Sequence, residues 1–488
     1  MIVQSDWQEV FSFCEEKTLV VECGSALLTS DAGLLVFREF DEKIGWTARF
    51  AAALSDRRVD AAHSLVEMVR MRVYGILADY EDQNDHSALR HDPAFQLLTC
   101  GGLDGGPLAS QPTLSRFENA VDIPSLFRLQ DVFLDEFIAS FDSPPARLTF
   151  DIDPFDDPTH GQQQLSFYHG YYGQHQYQPR VVTCAENDQV VMACLLHGTA
   201  HAALAADDDL EYLVRRLRKA WPDVSIHVRA DSAFGVPTMF DVCERLRIDF
   251  TFGLRMNPVL NRESDELLKE CVAAWKATGE KQRRFCAFEY EAGSWPHARW
   301  TIIKTEAHAE GTNRRAVITN RPGARVLPGA AYDDYADRGE SENRNKELKC
   351  RLSSDRLSDH RFLANLFRLY LHAAALNLLV RLRRTVAQPP AELPATVVDP
   401  APPADLPKEA YAGHDRRRWF NHRRECDPLG EGHADTWRTR LIKVAAEFVV
   451  SCRRIVMRLA GAWPYIAHYQ QVLAQVRQLP AALPNATG

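Results

Sequence analysis

The stretch from Arg147 to Leu254 constrains the fold more than any other part of the chain. RLTFDID alternates like a half-buried strand, and SFYHGYYGQHQYQPRVVTC and QVVMACLL follow as β-rich runs joined by Gly, Gln and Asn turns. Then the period changes. LEYLVRRLRKAW reads as a helix, SIHVRAD as a strand, PTMFDVCERLRI as a helix and FTFGLRM as a strand. Three successive strands followed by alternating helix and strand predict an α/β layer on a mixed sheet. Two of the strands end in aspartate: RLTFDID at Asp153, with Pro154 stopping the strand, and SIHVRAD at Asp231, before the SAFG turn. Asp151 shares the strand face of Asp153, so parity leaves the choice between them open. Asp156 and Asp157 are expected in the following loop, and Asp231 would also suit a turn or a helix N-cap.

The flanks read differently. Residues 1 to about 130 are expected to be mainly helical. HSLVEMVRMRVYGILADY carries apolar residues at i, i+3, i+4 and i+7, and LASQPTLSRFEN offers Ser110 as an N-cap, Pro112 in the first turn and Arg116 on an outer face suited to a DNA backbone or to plain solvent. Between about 258 and 330, RRFCAFEYEA, ARWTIIKTEA and RRAVITN read as an inserted antiparallel piece, in which Trp295 or Trp300 would either stack on a displaced base or pack in the core. HRFLANLFRLYLHAAALNLLVRLRR predicts a long helix. Residues 387–410 carry seven prolines and read as a linker, and WRTRLIKVAAEFVVSCRRIVMRLAGAW reads as a closing helical piece.

Composition excludes several classes. With 488 residues, 45% hydrophobic and 25% charged, the chain suits two or three soluble globular domains. No window approaches roughly 18 consecutive apolar residues, so no membrane span is expected. The acidic start MIVQSDWQEVFSFCEEK lacks the basic region of a signal peptide. Eleven scattered cysteines without a C-x-x-C pair suit free thiols in a reducing cytoplasm, and the spacing of His160, His169 and His175 matches no zinc motif. The net charge of −9 hides an asymmetry: Arg344 to Arg384 hold ten Lys/Arg against three Asp/Glu, and Tyr411 to Arg458 hold eleven against six. Such local patches, rather than the total, govern binding to phosphates.

The charged segment YDDYADRGESENRNKELK, residues 332–349, follows the inserted piece. Taken as one helix at about 100° per residue, it puts Tyr335, Arg338, Glu342 and Lys349 within roughly 60° of one another, with Glu340 and Glu347 on another face. A surface Arg338–Glu342 ion pair would account for part of this. Two strand-end aspartates and a helical glutamate are also the hard oxygen donors that two-metal phosphodiester chemistry needs.

The spacing Y-x2-R-x3-E-x6-K, carried by Tyr335, Arg338, Glu342 and Lys349, resembles the signature of bacterial cut-and-paste insertion-sequence transposases with a DDE domain. TSDAGLLVFREF, YEDQNDHSALRHDPAF, LASQPTLSRFEN, DPTHG, RADSAFG and RGESENRNKELK before HRFLANLFRL are similar to one subgroup, the transposase DDE domain, group 1 family, from about residue 20 to 385. In such enzymes the first Asp usually precedes a small or hydroxyl pair; here Pro154 and Phe155 follow.

The resemblance implies an α/β, RNase H-like core at 141–385 with the β insertion at about 258–330. A helical DNA-binding or dimer region at 1–140 precedes it, and a linker at 386–412 and a helical basic region at 413–488 follow. It further implies Asp153, Asp231 and Glu342 as ligands of two Mg2+ ions (Mn2+ substituting), with Tyr335, Arg338 and Lys349 on DNA phosphates. The expected substrate is double-stranded DNA, the terminal inverted repeats and a target, bound by a homodimer in the bacterial cytoplasm. A nuclease of the same fold, or a non-catalytic DNA-binding descendant, would share these residues.

Overall fold

The computed structural model describes residues 8–11, 19–100, 102–103, 105–386 and 433–480; the proline-rich linker and the basic stretch up to residue 432 lie outside them. The first described elements are strands. β1 (Gln8–Phe11) and β2 (Leu19–Glu22) form an exposed antiparallel pair, and β3 (Leu27–Thr29) follows. Helices α1 (Leu34–Ile44), α2 (Trp46–Ala52), α3 (Leu65–Leu77), α4 (His86–Leu89), α5 (Pro93–Cys100), α6 (Gln111–Asn119) and α7 (Ile123–Ala139) come next. A capping box starts α3: the Glu67 N–H donates to Ser64 Oγ at 3.2 Å, and the Ser64 N–H donates to Glu67 Oε2 at 2.7 Å. Ser110 stands at the N-cap of α6 as its sequence predicts, but its hydroxyl meets Thr113 Oγ1 at 3.1 Å and caps no backbone N–H.

The central layer keeps the expected order: β4 (Arg147–Pro154), β5 (Asp157–Pro158), β6 (Phe167–His169), β7 (Gln174–Cys184), β8 (Val190–His197), α8 (Ala206–Ala220), β9 (Ser225–Ala230), α9 (Pro237–Arg245) and β10 (Asp249–Leu254). Two details differ. β4 runs through Pro154, and Asp157, expected in a loop, opens the short β5. β7 lies antiparallel to β4, while β9 lies parallel to β4 and β10 parallel to β9. Helix α8 buries Leu210, Leu213, Val214 and Leu217. Asp207–Asp209 in its first turn and Arg218 and Lys219 in its last complement the helix dipole.

Two helices absent from the sequence reading, α10 (Pro258–Glu263) and α11 (Asp265–Thr278), lead into β11 (Gln282–Tyr290), β12 (Arg299–His308) and β13 (Gly311–Thr319). These three strands are antiparallel as expected, yet they are not a separate piece. β13 pairs with β10, so they widen the central sheet to the order β11-β12-β13-β10-β9-β4-β7-β5, with β6 and β8 also on β7.

The charged motif segment is not one helix. It divides into α12 (Pro328–Ala336), α13 (Gly339–Lys346) and a π-turn over Glu347–Arg351. Then α14 (Phe362–Val386) runs through the core. By length and composition it could cross a membrane, but its most apolar stretch is 89% buried within the protein. A helix apolar on all sides belongs inside.

The C-terminal part corrects the reading most. The stretch expected to be helical is a short helix, Ala434–Trp437, a π-turn over Arg438–Ile442, and a hairpin of β14 (Ala446–Ser451) and β15 (Arg454–Leu459), before a last helix, Ile466–Gln478. Val449, Val450, Ile455 and Val456 are β-branched and suit a pleated surface better than a helix. β14 pairs with β3, and Trp437 packs edge-on against Phe37 at 6.2 Å. At Gly33 any Cβ would lie 1.7 Å from the Leu441 carbonyl oxygen, so the two ends of the chain meet where only glycine fits.

Candidate active site

The parallel register sets Asp151 of β4 opposite Arg229 of β9, and Ile152 opposite Ala230. Asp153 and Asp231 are the next residues on each chain. They therefore stand side by side where two adjacent strands end, roughly one strand spacing of about 4.8 Å apart in the backbone. The structure also separates the two rivals on β4. Asp151 is buried, and both its oxygens are gripped by Arg229, Nε at 2.6 Å and Nη2 at 2.8 Å. Arg229 in turn donates to the Asp334 carbonyl oxygen on α12, while the Asp334 carboxylate pairs with Arg321 and lies 3.8 Å from Arg147. Asp151 is thus part of a buried charge cluster that fastens α12 to the sheet. Asp153 is free of it and faces Arg338 Nη1 at 3.4 Å.

The break after α12 changes the predicted stripe without dissolving it. Arg338 Nη2 donates to Glu342 Oε1 at 3.1 Å, so one guanidinium bridges Asp153 and Glu342. The Arg338 guanidinium also lies 5.8 Å from the Tyr335 ring centre. Lys349 follows on the π-turn, and its ammonium lies 2.5 Å from Asp156 Oδ1. Asp231 makes a local turn, its Oδ1 accepting from the Ala233 N–H at 2.8 Å, which fits the turn role that its sequence allowed.

The electrostatics single out Asp153. Burial, only partly offset by Arg338, pushes its carboxyl up to about 7, and Asp231, Glu342 and Asp151 push in the same direction. Negative charges thus converge on a carboxylate that is costly to ionise by itself, and a multivalent cation would relieve that cost. The donors are hard oxygens of the kind Mg2+ and Mn2+ take. Among the described residues no three His, Cys, Asp or Glu side chains are assembled to hold a metal as they stand; the Arg338 guanidinium lies between two of the three carboxylates. The donor set fits a divalent cation by type, with Arg338 as the present counter-charge.

The family Transposase DDE domain group 1 matches residues 11–396, a span that includes all of these side chains. The chain belongs to that family. No curated protein matches it. Among solved structures it is similar to the piggyBac transposase synaptic complex with hairpin DNA, at 12% identity, over 94% of this chain and 87% of that one, with a TM-score of 0.36.

Several features of this transposase were hidden in its sequence. Arg229 sits in plain view in SIHVRAD, yet nothing local marks it as the partner of Asp151. Of the first basic patch, Arg344 and Arg383 bind Glu347, Arg368 binds Glu118, Arg381 binds Glu136 and Arg384 binds Asp188, so those five are committed inside the protein rather than to a DNA surface. In the second patch, Arg438 donates to the Leu77 and Ile76 carbonyls, and the residues before 433 lie outside the described ones. Trp295 is buried against Phe240 and Tyr290, a core position, and Arg325 lies over Trp300 at 5.7 Å.

Gly253 of β10 is a further site residue. A Cβ there would come within 2.7 Å of the Ser232 backbone nitrogen and 3.0 Å of the Tyr335 hydroxyl. The turn carrying Asp231 packs directly on this bare backbone. Gly253→Ala is therefore expected to cost about 1–3 kcal/mol by overpacking and to displace Asp231. Thermal unfolding measured beside DNA cleavage checks this; a variant that cuts at the wild-type rate would show that the contact is slack.

Proposed function

We propose that this transposase cuts DNA at the ends of an insertion sequence and joins the freed 3′-hydroxyls to target DNA, at a two-metal site held by Asp153, Asp231 and Glu342. The observation that carries the reading is Asp153 itself: a largely buried strand-end carboxylate outside the structural ion cluster, with further carboxylates driving its protonation upward. An RNase H-like core is supported by the strand sequence β8-β7-β4-β9-β10, in which the first three are antiparallel and the last three parallel.

Bound divalent cations, Mg2+ or Mn2+, supply the Lewis acid for in-line displacement at phosphorus. The chain's own contribution is position and charge. Asp153 and Asp231 are fixed on neighbouring strand ends, so their spacing is set by the sheet. Glu342 stands on a separate helix and is joined to Asp153 through Arg338. Arg338, which bridges Asp153 and Glu342, has the planar fork that grips phosphate oxygens. Lys349 and the Tyr335 hydroxyl are further phosphate donors on the same side. Because two DNA ends must be joined to one target, the active species is at least a homodimer on DNA.

The test is cleavage and joining of a plasmid carrying the element's ends, with Mg2+ or Mn2+, by wild type and by Asp153→Ala, Asp231→Ala and Glu342→Ala. Breaks at fixed ends and joined products from wild type, lost in all three variants, are expected. Cleavage without joining would make the protein a nuclease. Specific binding with no cleavage would make it a DNA-binding descendant and overturn the mechanism.

A further inference from the structure

The β6–β7 hairpin carries aromatic side chains that no core absorbs. Tyr171 is 87% exposed, Tyr168 56%, Tyr172 45% and Phe167 42%. None belongs to a hydrophobic cluster or packs partly against one. They pack instead on one another and on histidines: Tyr171 edge-on to Tyr172 at 5.0 Å, His169 on Tyr172 at 4.9 Å, and Tyr168 on His175 at 5.7 Å. Burial cannot explain so many large rings in so short a span, since each leaves much apolar surface in water.

The hairpin is built to hold them. The Gly173 N–H donates to the His169 carbonyl at 2.9 Å, and Gly173 adopts φ +67°, a conformation that costs glycine nothing, so the turn presents Tyr171 and Tyr172 at its tip. At the base, a Cβ on Gly198 would lie 2.3 Å from both the Gln176 and Phe167 carbonyl oxygens, so bare backbone wedges against both strands.

The tip also borders the site. Gln174, two residues beyond Tyr172, donates to Asp156 at 3.4 Å, and Asp156 receives the Lys349 ammonium. Partial burial and then the Asp156 charge raise the Tyr172 phenol, Asp231 acts in the same direction and Lys349 opposes. The exposed rings therefore stand on the hairpin that meets Asp156, three residues from Asp153 along the chain, and its partner Lys349.

We infer that Tyr168, Tyr171 and Tyr172 form a stacking surface for an unpaired base of the DNA strand next to the cut. A paired base offers only its groove edge, whereas flat exposed rings match the face of a base that has left the stack, whatever its identity. This rests on the DNA-cleaving reading of the site. A second copy of the chain could also cover the rings, and the experiment separates the two.

Full-length protein is titrated, in EDTA to prevent cutting, with a random-sequence duplex bearing a single-stranded overhang that carries 2-aminopurine at the junction, and with the same duplex blunt-ended. Wild type is expected to bind the overhang more tightly and to change the 2-aminopurine fluorescence. The Tyr171→Ala/Tyr172→Ala double variant should lose about tenfold or more on the overhang and little on the blunt duplex. Tyr171→Phe/Tyr172→Phe, which keeps both rings, should bind like wild type. Equal loss on both DNAs, no loss on either, or a Phe pair as weak as the Ala pair overturns the inference. So does a change in oligomeric state, by light scattering, without a change in overhang preference. If wild type binds neither DNA, the DNA-cleaving reading falls, and the inference with it.

Discussion

Asp151→Ala is expected to cost the fold about 3–5 kcal/mol, the usual effect of truncating one partner of a buried ion pair. The Arg229 guanidinium is fully buried and donates to both oxygens of Asp151; without them it keeps the Asp334 carbonyl and a carboxylate 3.7 Å away. Because Arg229 also holds α12, the loss should loosen the segment that carries Tyr335 and Arg338.

Asp153→Asn, two residues on, is expected to do the opposite. The wild-type carboxyl is raised in the folded protein from 3.8 to about 7, so the folded state holds its proton more tightly than the unfolded state. Wild-type stability from this group therefore falls as pH rises from about 4 to about 7, and stays low above that. A neutral amide escapes that cost. At pH 8 without metal the variant should be at least as stable as wild type, and at pH 4 the two should converge, Arg338 keeping Glu342 as a partner. Its DNA cleavage should fall by about 10³-fold or more, since the metal loses an anionic ligand. Added Mn2+ should raise the melting temperature of wild type only. Denaturant unfolding at the two pH values and cleavage rates check both variants. A stable Asp151→Ala protein with lost cleavage, beside an active Asp153→Asn, would exchange the two roles.

The second large effect separates two glutamates of one short segment. Glu347 is buried, with Arg344 at 2.6 Å, Arg383 at 3.0 Å and the Ala434 N–H at 2.9 Å on its carboxylate. It joins the end of the motif segment to α14 and to the returning C-terminal chain. Burial opposes its ionisation, but Arg383 and Arg344 outweigh burial and hold it below the usual range. Glu347→Gln should therefore destabilise the protein by about 3–5 kcal/mol, leaving two buried arginines short of charge. The sign of the pH effect is the ordinary acidic one: this stabilisation is present above the unfolded value of about 4.5 and is lost as pH falls through the lowered folded value.

Glu342, by contrast, is 62% exposed and pairs with a single arginine on its own helix turn. Such surface pairs contribute about 0–1 kcal/mol. Glu342→Gln should melt like wild type and cut DNA far more slowly. Melting curves with cleavage rates decide it; a Glu342→Gln protein that cuts normally would remove Glu342 from the site.

The central layer was legible because its elements announce themselves locally. Alternation in RLTFDID and the change of period after QVVMACLL each act within a few residues, and the structure contains the corresponding elements. Reading failed where local signals were ambiguous or incomplete. FVVSCRRIVM is apolar and basic in a way that helix and hairpin share, and its partner β3 lies more than 400 residues earlier. The motif segment has helical residues throughout, but α12 is pinned by Asp334 to a buried arginine cluster, and the chain breaks after Ala336. Beyond that break the π-turn takes the Lys349 ammonium to Asp156.

By itself, the sequence determined which residue types were present and in what order: strand-end aspartates, then a Tyr, Arg, Glu and Lys at fixed spacings. It also determined which way each side chain alternates along a strand, since that follows from backbone geometry. It could not decide between Asp151 and Asp153, because both obey the same alternation. Only the tertiary structure gives them different surroundings, by bringing Arg229 across from the neighbouring strand onto Asp151. The same holds for the basic patches and for Glu347. Whether a charge is a binding group or a structural partner depends on which opposite charge the fold buries beside it, and that pairing is set by long-range packing.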